Sequence, residues 1–106
     1  MDELRIISKE LKDKLDKKED IFLLDVRNFD EHQIAKIPGS MLIPLDQLEN
    51  RLNEIPKNKE IIVYCHHGAR SLDAVNFLKE KGFKAKSLVG GIDVWARFID
   101  HSIPIY

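Results

Sequence analysis

Ile61-Ile62-Val63-Tyr64-Cys65-His66-His67-Gly68-Ala69-Arg70-Ser71 joins an apolar run of strand length to a polar turn that holds the chain's only cysteine. From Ser71 to Lys81 the apolar positions become Ala74, Val75 and Leu78, a change from a continuous to a helical pattern. The cysteine therefore sits where a strand gives way to a helix. A thiol there faces backbone N–H groups without intrahelical partners, at the positive end of the helix dipole, an arrangement that favours negative charge on sulfur. Gly68 permits a tight turn that would aim several N–H groups at one point, a nest for an anion. Core packing asks for neither two histidines nor an arginine at this junction, so the loop is read as a site of chemistry.

Outward from this loop, the same alternation fills the chain. Leu4 to Ile7 reads as a strand, and Ser8 as the N-cap of a surface helix with Leu11 and Leu15 four apart. Ile21 to Leu24 has the uninterrupted apolar character of a parallel strand buried on both faces, and it ends in Asp25-Val26-Arg27. Asn28 or Asp30 caps a short helix through about Ala35, closed by Pro38-Gly39. Ser40 to Ile43 is a short strand stopped by Pro44. Asp46 then opens a helix with Leu48, Leu52 and Ile55 on one face, ended by Pro56. After the cysteine loop and its helix, Gly82 stops the helix, Ser87 to Val89 forms the last strand, and Gly90-Gly91 leads into a final helix over about 92–98.

Strands and helices alternating with short links predict an α/β fold, with right-handed crossovers onto a parallel sheet covered by helices on both faces. Ligands of such sheets bind beyond the carboxyl ends of the strands. Asp25-Val26-Arg27, Pro44, the Cys65 loop and Gly90-Gly91 each follow a strand, so all four are expected on one edge.

Composition limits the partners. The 106 residues are read as one domain, 1–106, with 43% apolar and 33% charged residues and a net charge of -1. A phosphate backbone needs a basic face, and here acids are interleaved with most lysines, so nucleic acid is not an expected partner. The start, Met1-Asp2-Glu3-Leu4-Arg5, lacks a basic-then-apolar leader, and no uncharged apolar run approaches the ~20 residues that span a bilayer. A single cysteine forms no intrachain disulfide, which suits a reduced compartment. The expectation is a cytoplasmic protein that uses no membrane.

Within the loop, Arg70 offers a bidentate fork for an anionic substrate, or pairs with Asp25 and supports the loop. Arg27 and Glu31, four apart, read as a structural pair. His66 and His67 tune the thiol, donate protons or line the entrance. Cys-His-His lacks zinc-ligand spacing, and His32 and His101 are distant in sequence, so no metal is expected. Trp95 and Phe98 lie at helical spacing and read as aromatic packing, with one wall of the pocket as a further role.

Three separated motifs resemble a rhodanese homology domain over Phe22 to about Phe98. They are Leu24-Asp25-Val26-Arg27 with Glu31 and Ile37-Pro38-Gly39-Ser40, the loop Cys65 to Ser71, and Gly90-Gly91 followed by Trp95. Where family members often carry Gly-His-Ile before Pro-Gly-Ala, this chain has Ala35-Lys36-Ile37 before Pro38-Gly39-Ser40. The resemblance implies a five-stranded parallel sheet and a sulfurtransferase in which Cys65 carries a persulfide cradled by the amides from His66 through Gly68, Ala69 and Arg70 to Ser71. It also implies a sulfane-sulfur donor such as thiosulfate or a protein persulfide, an acceptor that is a thiol, cyanide or another thiophile, and no cofactor.

Two other functions compete. Cysteine phosphatases and arsenate reductases hold a tetrahedral oxyanion in a Cys-x5-Arg loop, whereas four residues separate Cys65 from Arg70, a smaller ring suited to a sulfur atom. A phosphatase also needs a general acid, and none is placed. Non-catalytic modules of this fold usually lack the cysteine, which is present here.

Overall fold

A computed structural model of the protein describes residues 3–106. Met1 and Asp2, where the leaderless start was expected, lie outside the described residues. Five strands form one sheet in the order β1-β5-β4-β2-β3, every neighbouring pair parallel. They are β1 (Arg5–Ile6), β2 (Ile21–Asp25), β3 (Met41–Leu42), β4 (Glu60–Tyr64) and β5 (Lys84–Leu88). The helices are α1 (Ser8–Asp16), α2 (Phe29–Ile34), α3 (Ala69–Glu80) and α4 (Gly91–Phe98).

The continuous apolar runs of β2 and β4 have the cause inferred for them. In β4, Ile61 and Val63 face a cluster with Ala74, Val75 and Leu78 of α3, while Ile62 and Tyr64 face the opposite cluster with Leu11, Ile92 and Trp95. All four β4 side chains are buried. Each sheds enough apolar surface to contribute about 1.5–3 kcal/mol. The edge strands β1 and β3 have two residues each, and Pro44 helps stop β3 from offering a longer unpaired edge. Among the described residues no helix is long and apolar enough to cross a membrane.

Three local expectations change. The last strand, expected over Ser87 to Val89, begins three residues earlier and is β5, Lys84–Leu88, because Ala85 and Ser87 are buried beside β4. The helix expected from Asp46 is instead two 3-10 segments, Leu45–Gln47 and Glu49–Glu54, with non-helical backbone at Arg51. The segment lies between Pro44 and Pro56 and contains Asn50 and Asn53, so it has little propensity for a sustained α-helix. Packing of Leu48 and Ile55 into the core holds it nonetheless. In α1, Ile7 rather than Ser8 is the cap residue, and Glu10 Oε1 accepts the Ile7 N–H at 3.2 Å.

Because all strands run the same way, the segments after β2, β3, β4 and β5 lie at one edge, as the alternation required. Cys65 follows β4, the central strand, and is flanked there by the ends of β2 and β5.

Candidate active site

Cys65 is 1% exposed and lies between the last residue of β4 and a turn whose Gly68 has a φ of 116°. That left-handed conformation lets the chain double back so that N–H groups face the sulfur. Gly68 N–H donates to Sγ at 3.1 Å and Ser71 N–H at 3.3 Å. The thiol in turn points at Ser71 Oγ, 3.4 Å away. Ser71 Oγ lies 3.1 Å from the Gly68 carbonyl and 2.7 Å from Ser87 Oγ of β5. Two of the expected amides thus reach the sulfur, at the first turn of α3, and the serine pair closes the base of the nest.

The other side of the loop is fixed by α4. Ile92 N–H donates to the Cys65 carbonyl at 2.9 Å and Asp93 N–H to the His66 carbonyl at 3.1 Å. A Cβ on Gly91 would overlap both carbonyl oxygens, so this approach requires glycine. The Gly90-Gly91 pair therefore does more than turn the chain: it brings the amides at the start of α4 onto the loop backbone.

Arg70 is paired, but not with Asp25. Its two terminal nitrogens bind Glu31 Oε1 at 2.7 Å and Oε2 at 3.0 Å. The Arg70 contact is the main reason the Glu31 carboxyl falls to about 2; Asn28 N–H and the Tyr106 hydroxyl add to it, while partial burial opposes it. Glu31 lies in the first turn of α2, one turn beyond the end of β2, within reach of the loop. Asp25 points instead into the protein, where it is wholly buried. Arg27 Nε and Nη2 grip its carboxylate at 2.9 and 2.8 Å, and His32 Nδ1 lies 2.8 Å from Oδ2. The expected Arg27–Glu31 pair does not form, because Arg27 is also buried and its charge is matched by the buried carboxylate. Burial disfavours the Arg27 charge, yet the bonds to Asp25 and Tyr106 outweigh it and raise its pKa.

Tyr106 was not foreseen. Its hydroxyl accepts from Arg27 Nη1 at 2.6 Å and donates to Glu31 Oε2 at 2.8 Å. Its ring stacks on His66 with centroids 3.9 Å apart and planes 6° from parallel. Asp25 therefore connects to the loop stepwise, through Arg27 and Tyr106 to His66. His67 stands beside His66, with ring centroids 3.9 Å apart. Trp95 is buried against α1, and with Leu15, Ile37, Pro38 and Ile99 it lines a groove of about 270 Å³. Phe98 is 72% exposed and does not pack as expected, because it falls on the solvent side of α4.

Metal-ligand spacing in the sequence offered no third residue to the histidine pair, but the fold does. One ligand atom each from His66, His67 and Asp93 lies within 4.8 Å of the others. Sequence order hid Glu31, Ser87, Asp93 and Tyr106 as members of this neighbourhood. Of these, Glu31 carried a signal, as part of the motif that follows β2, and Ser87 is a hydroxyl within an otherwise buried strand end.

The model of the Rhodanese-like domain matches residues 8–98. The chain is 39% identical to an adenylyltransferase and sulfurtransferase MOCS3 of Arabidopsis thaliana, covering 98% of this chain and 26% of that protein. It is 37% identical to a sulfurtransferase of Allochromatium vinosum, covering 94% of this chain and 92% of that one. A rhodanese-like domain protein from Staphylococcus aureus has a similar structure, with a TM-score of 0.85 and 32% identity over 97% of this chain and 98% of that chain. The chain thus spans about a quarter of the first relative and nearly all of the second.

Proposed function

The chain belongs to the rhodanese-like domain family, and we propose that it is a sulfurtransferase whose nucleophile and sulfur carrier is Cys65. The observation that carries this reading is the convergence of the Gly68 and Ser71 N–H groups on Cys65 Sγ. Two fixed donors at a helix N-terminus complement a sulfur anion, whether thiolate or persulfide.

With thiosulfate as donor, the Cys65 thiolate attacks the outer sulfane sulfur. The S–S bond of thiosulfate breaks, its electron pair leaves with sulfite, and Cys65 becomes a persulfide anion. An acceptor thiolate then attacks the terminal sulfur. The new persulfide forms on the acceptor while the Cys65 thiolate is regenerated, so no electrons are gained or lost overall. A protein persulfide serves as donor in the same way, with its own thiolate leaving. The steps require no cofactor.

Arg70 contributes less free charge than its place in the loop suggests, since Glu31 holds it with two bonds. Its role in this reading is to fasten the outer side of the loop to α2. Asp25 supports the loop at longer range by fixing Arg27, which binds Tyr106.

Incubation with thiosulfate in the absence of reductant tests the proposal by intact-mass spectrometry. The expected product is a gain of one sulfur, about 32 Da, removed by added thiol and absent from Cys65→Ser. An unchanged mass would point to a non-catalytic binding module. Hydrolysis of p-nitrophenyl phosphate that depends on Cys65, without sulfur loading, would instead identify an oxyanion enzyme.

A further inference from the structure

We propose that His66, His67 and Asp93 form a binding site for a zinc-class divalent metal ion at the rim of the Cys65 loop. Their ligand atoms lie within 4.8 Å of one another. Tetrahedral zinc, with nitrogen and oxygen ligands at about 2.0–2.2 Å, separates neighbouring donors by roughly 3.4 Å. Closing the set therefore takes at most about 1.4 Å of movement, which side-chain rotation of the exposed His67 and of the partly buried Asp93 supplies.

A second observation points the same way. His66 Nε2 is buried and has no hydrogen-bond partner in the protein. A buried imidazole nitrogen ordinarily has one. Stacking on Tyr106 engages a face of the His66 ring and does not occupy the in-plane lone pair of Nε2. With Nε2 as the His66 ligand atom, a metal ion held with His67 and Asp93 would satisfy that nitrogen.

The backbone already holds the ligands together. Asp93 N–H donates to the His66 carbonyl and Ile92 N–H to that of Cys65, so α4 and the loop are registered before any ion arrives. Close approach at Gly91 tightens the same junction. Asp93 at present binds Arg97 Nε at 3.1 and 3.2 Å, an i,i+4 pair whose arginine is 51% exposed. Such a surface pair contributes at most about 1 kcal/mol and yields to a metal ligand bond. The negative carboxylate also offsets the repulsion a cation meets near a helix N-terminus.

Two imidazoles and one carboxylate select Zn²⁺, Co²⁺ or Ni²⁺ over Mg²⁺ or Ca²⁺, which prefer all-oxygen sites. Three protein ligands leave a fourth position for water or a small anion.

Cys65 is itself a soft ligand, so the test uses Cys65→Ser as its background. Calorimetric titration with Zn²⁺ is expected to give one ion per chain, undisturbed by millimolar Mg²⁺. Adding Asp93→Asn or His67→Ala is expected to weaken binding at least about tenfold, the loss that even outer-sphere changes can cause. Co²⁺ bound to the unaltered protein is expected to show visible d–d bands without a sulfur-to-cobalt charge-transfer band. The site is refuted if Cys65→Ser binds no stoichiometric zinc. Equal affinity in both added variants, with circular dichroism confirming their fold, refutes it as well, and so does a sulfur charge-transfer band.

Discussion

Replacing Glu31 by Gln removes one charge while preserving the shape of the side chain; it breaks the ion pair that ties the cysteine loop to α2 and, with it, one acceptor oxygen shared by Arg70 and Tyr106. The Glu31 carboxyl titrates at about 2, against an ordinary value of 4.5. At about 1.4 kcal/mol per pH unit, that difference corresponds to at most about 3 kcal/mol of linked stability. The Arg70 side chain is 36% exposed, and solvent screening reduces the expected contribution to about 1–2 kcal/mol. The sign follows from which state binds the proton first. As pH falls, the unfolded carboxyl protonates near 4.5 and the folded one only near 2. The stabilisation is thus complete above about pH 5, more than half lost by about pH 3, and gone below about pH 2. Urea unfolding of both proteins at pH 7, 5 and 3 measures it. Glu31→Gln is expected to be less stable by about 1–2 kcal/mol at pH 7 and 5, a melting-point loss of roughly 5–10 °C, with the gap closing at pH 3. Adding Arg70→Ala should cost little more, because the interaction is already broken. Equal stability at pH 7, or a gap that does not change with pH, would refute the electrostatic account of this contact.

Gly91→Ala should displace the loop: its Cβ overlaps the Cys65 and His66 carbonyl oxygens at a φ of 60°, so thermal melting is expected to show a loss above about 2 kcal/mol and thiosulfate to load less sulfur. Arg27→Met leaves the Asp25 carboxylate buried without its cation, and urea unfolding should record a loss of about 3–5 kcal/mol, partly recovered by adding Asp25→Asn. Tyr106→Phe keeps the stack on His66 but leaves a buried Arg27 N–H unpaired, at a cost of about 1–3 kcal/mol in the same assay. Tyr106→Ala should lose more, because the ring contact goes as well.

What could be read from the chain follows from the range of the forces involved. Ile21 to Leu24 and Ile61 to Tyr64 announced their strands because both faces of each run pack inward: Ile61 to Tyr64, Leu23 and Leu24 are buried, and Ile21 and Phe22 are partly buried against opposite clusters. The parallel arrangement followed from the order of elements, and with it the edge that holds Cys65, Asp25 and Gly90-Gly91. The 45–54 segment misled because its leucine spacing suits a helix while its prolines and asparagines resist one, and burial of Leu48 and Ile55 was compatible with either conformation. Charge pairing was the least legible feature. Arg27 and Glu31 have the spacing of helical partners, but Arg27 precedes the helix and turns back to the carboxylate at the end of β2. Tyr106 reaches the site from 75 residues beyond Glu31, a distance over which no local pattern operates.

The direction in which Arg70 points sharpens the argument from loop spacing. Four residues between cysteine and arginine already suggested a ring too small for a tetrahedral oxyanion, but spacing alone does not say where the guanidinium lies. It lies outward, with both terminal nitrogens on Glu31, while the donors that reach the sulfur are the backbone amides of Gly68 and Ser71. An oxyanion enzyme needs its arginine fork on the substrate, and here that use would break a bidentate pair and leave a carboxylate uncompensated. A terminal persulfide sulfur needs only the amides. The division between an inward set of N–H groups and an outward, neutralised arginine therefore favours sulfur chemistry, for a reason independent of the length of the loop.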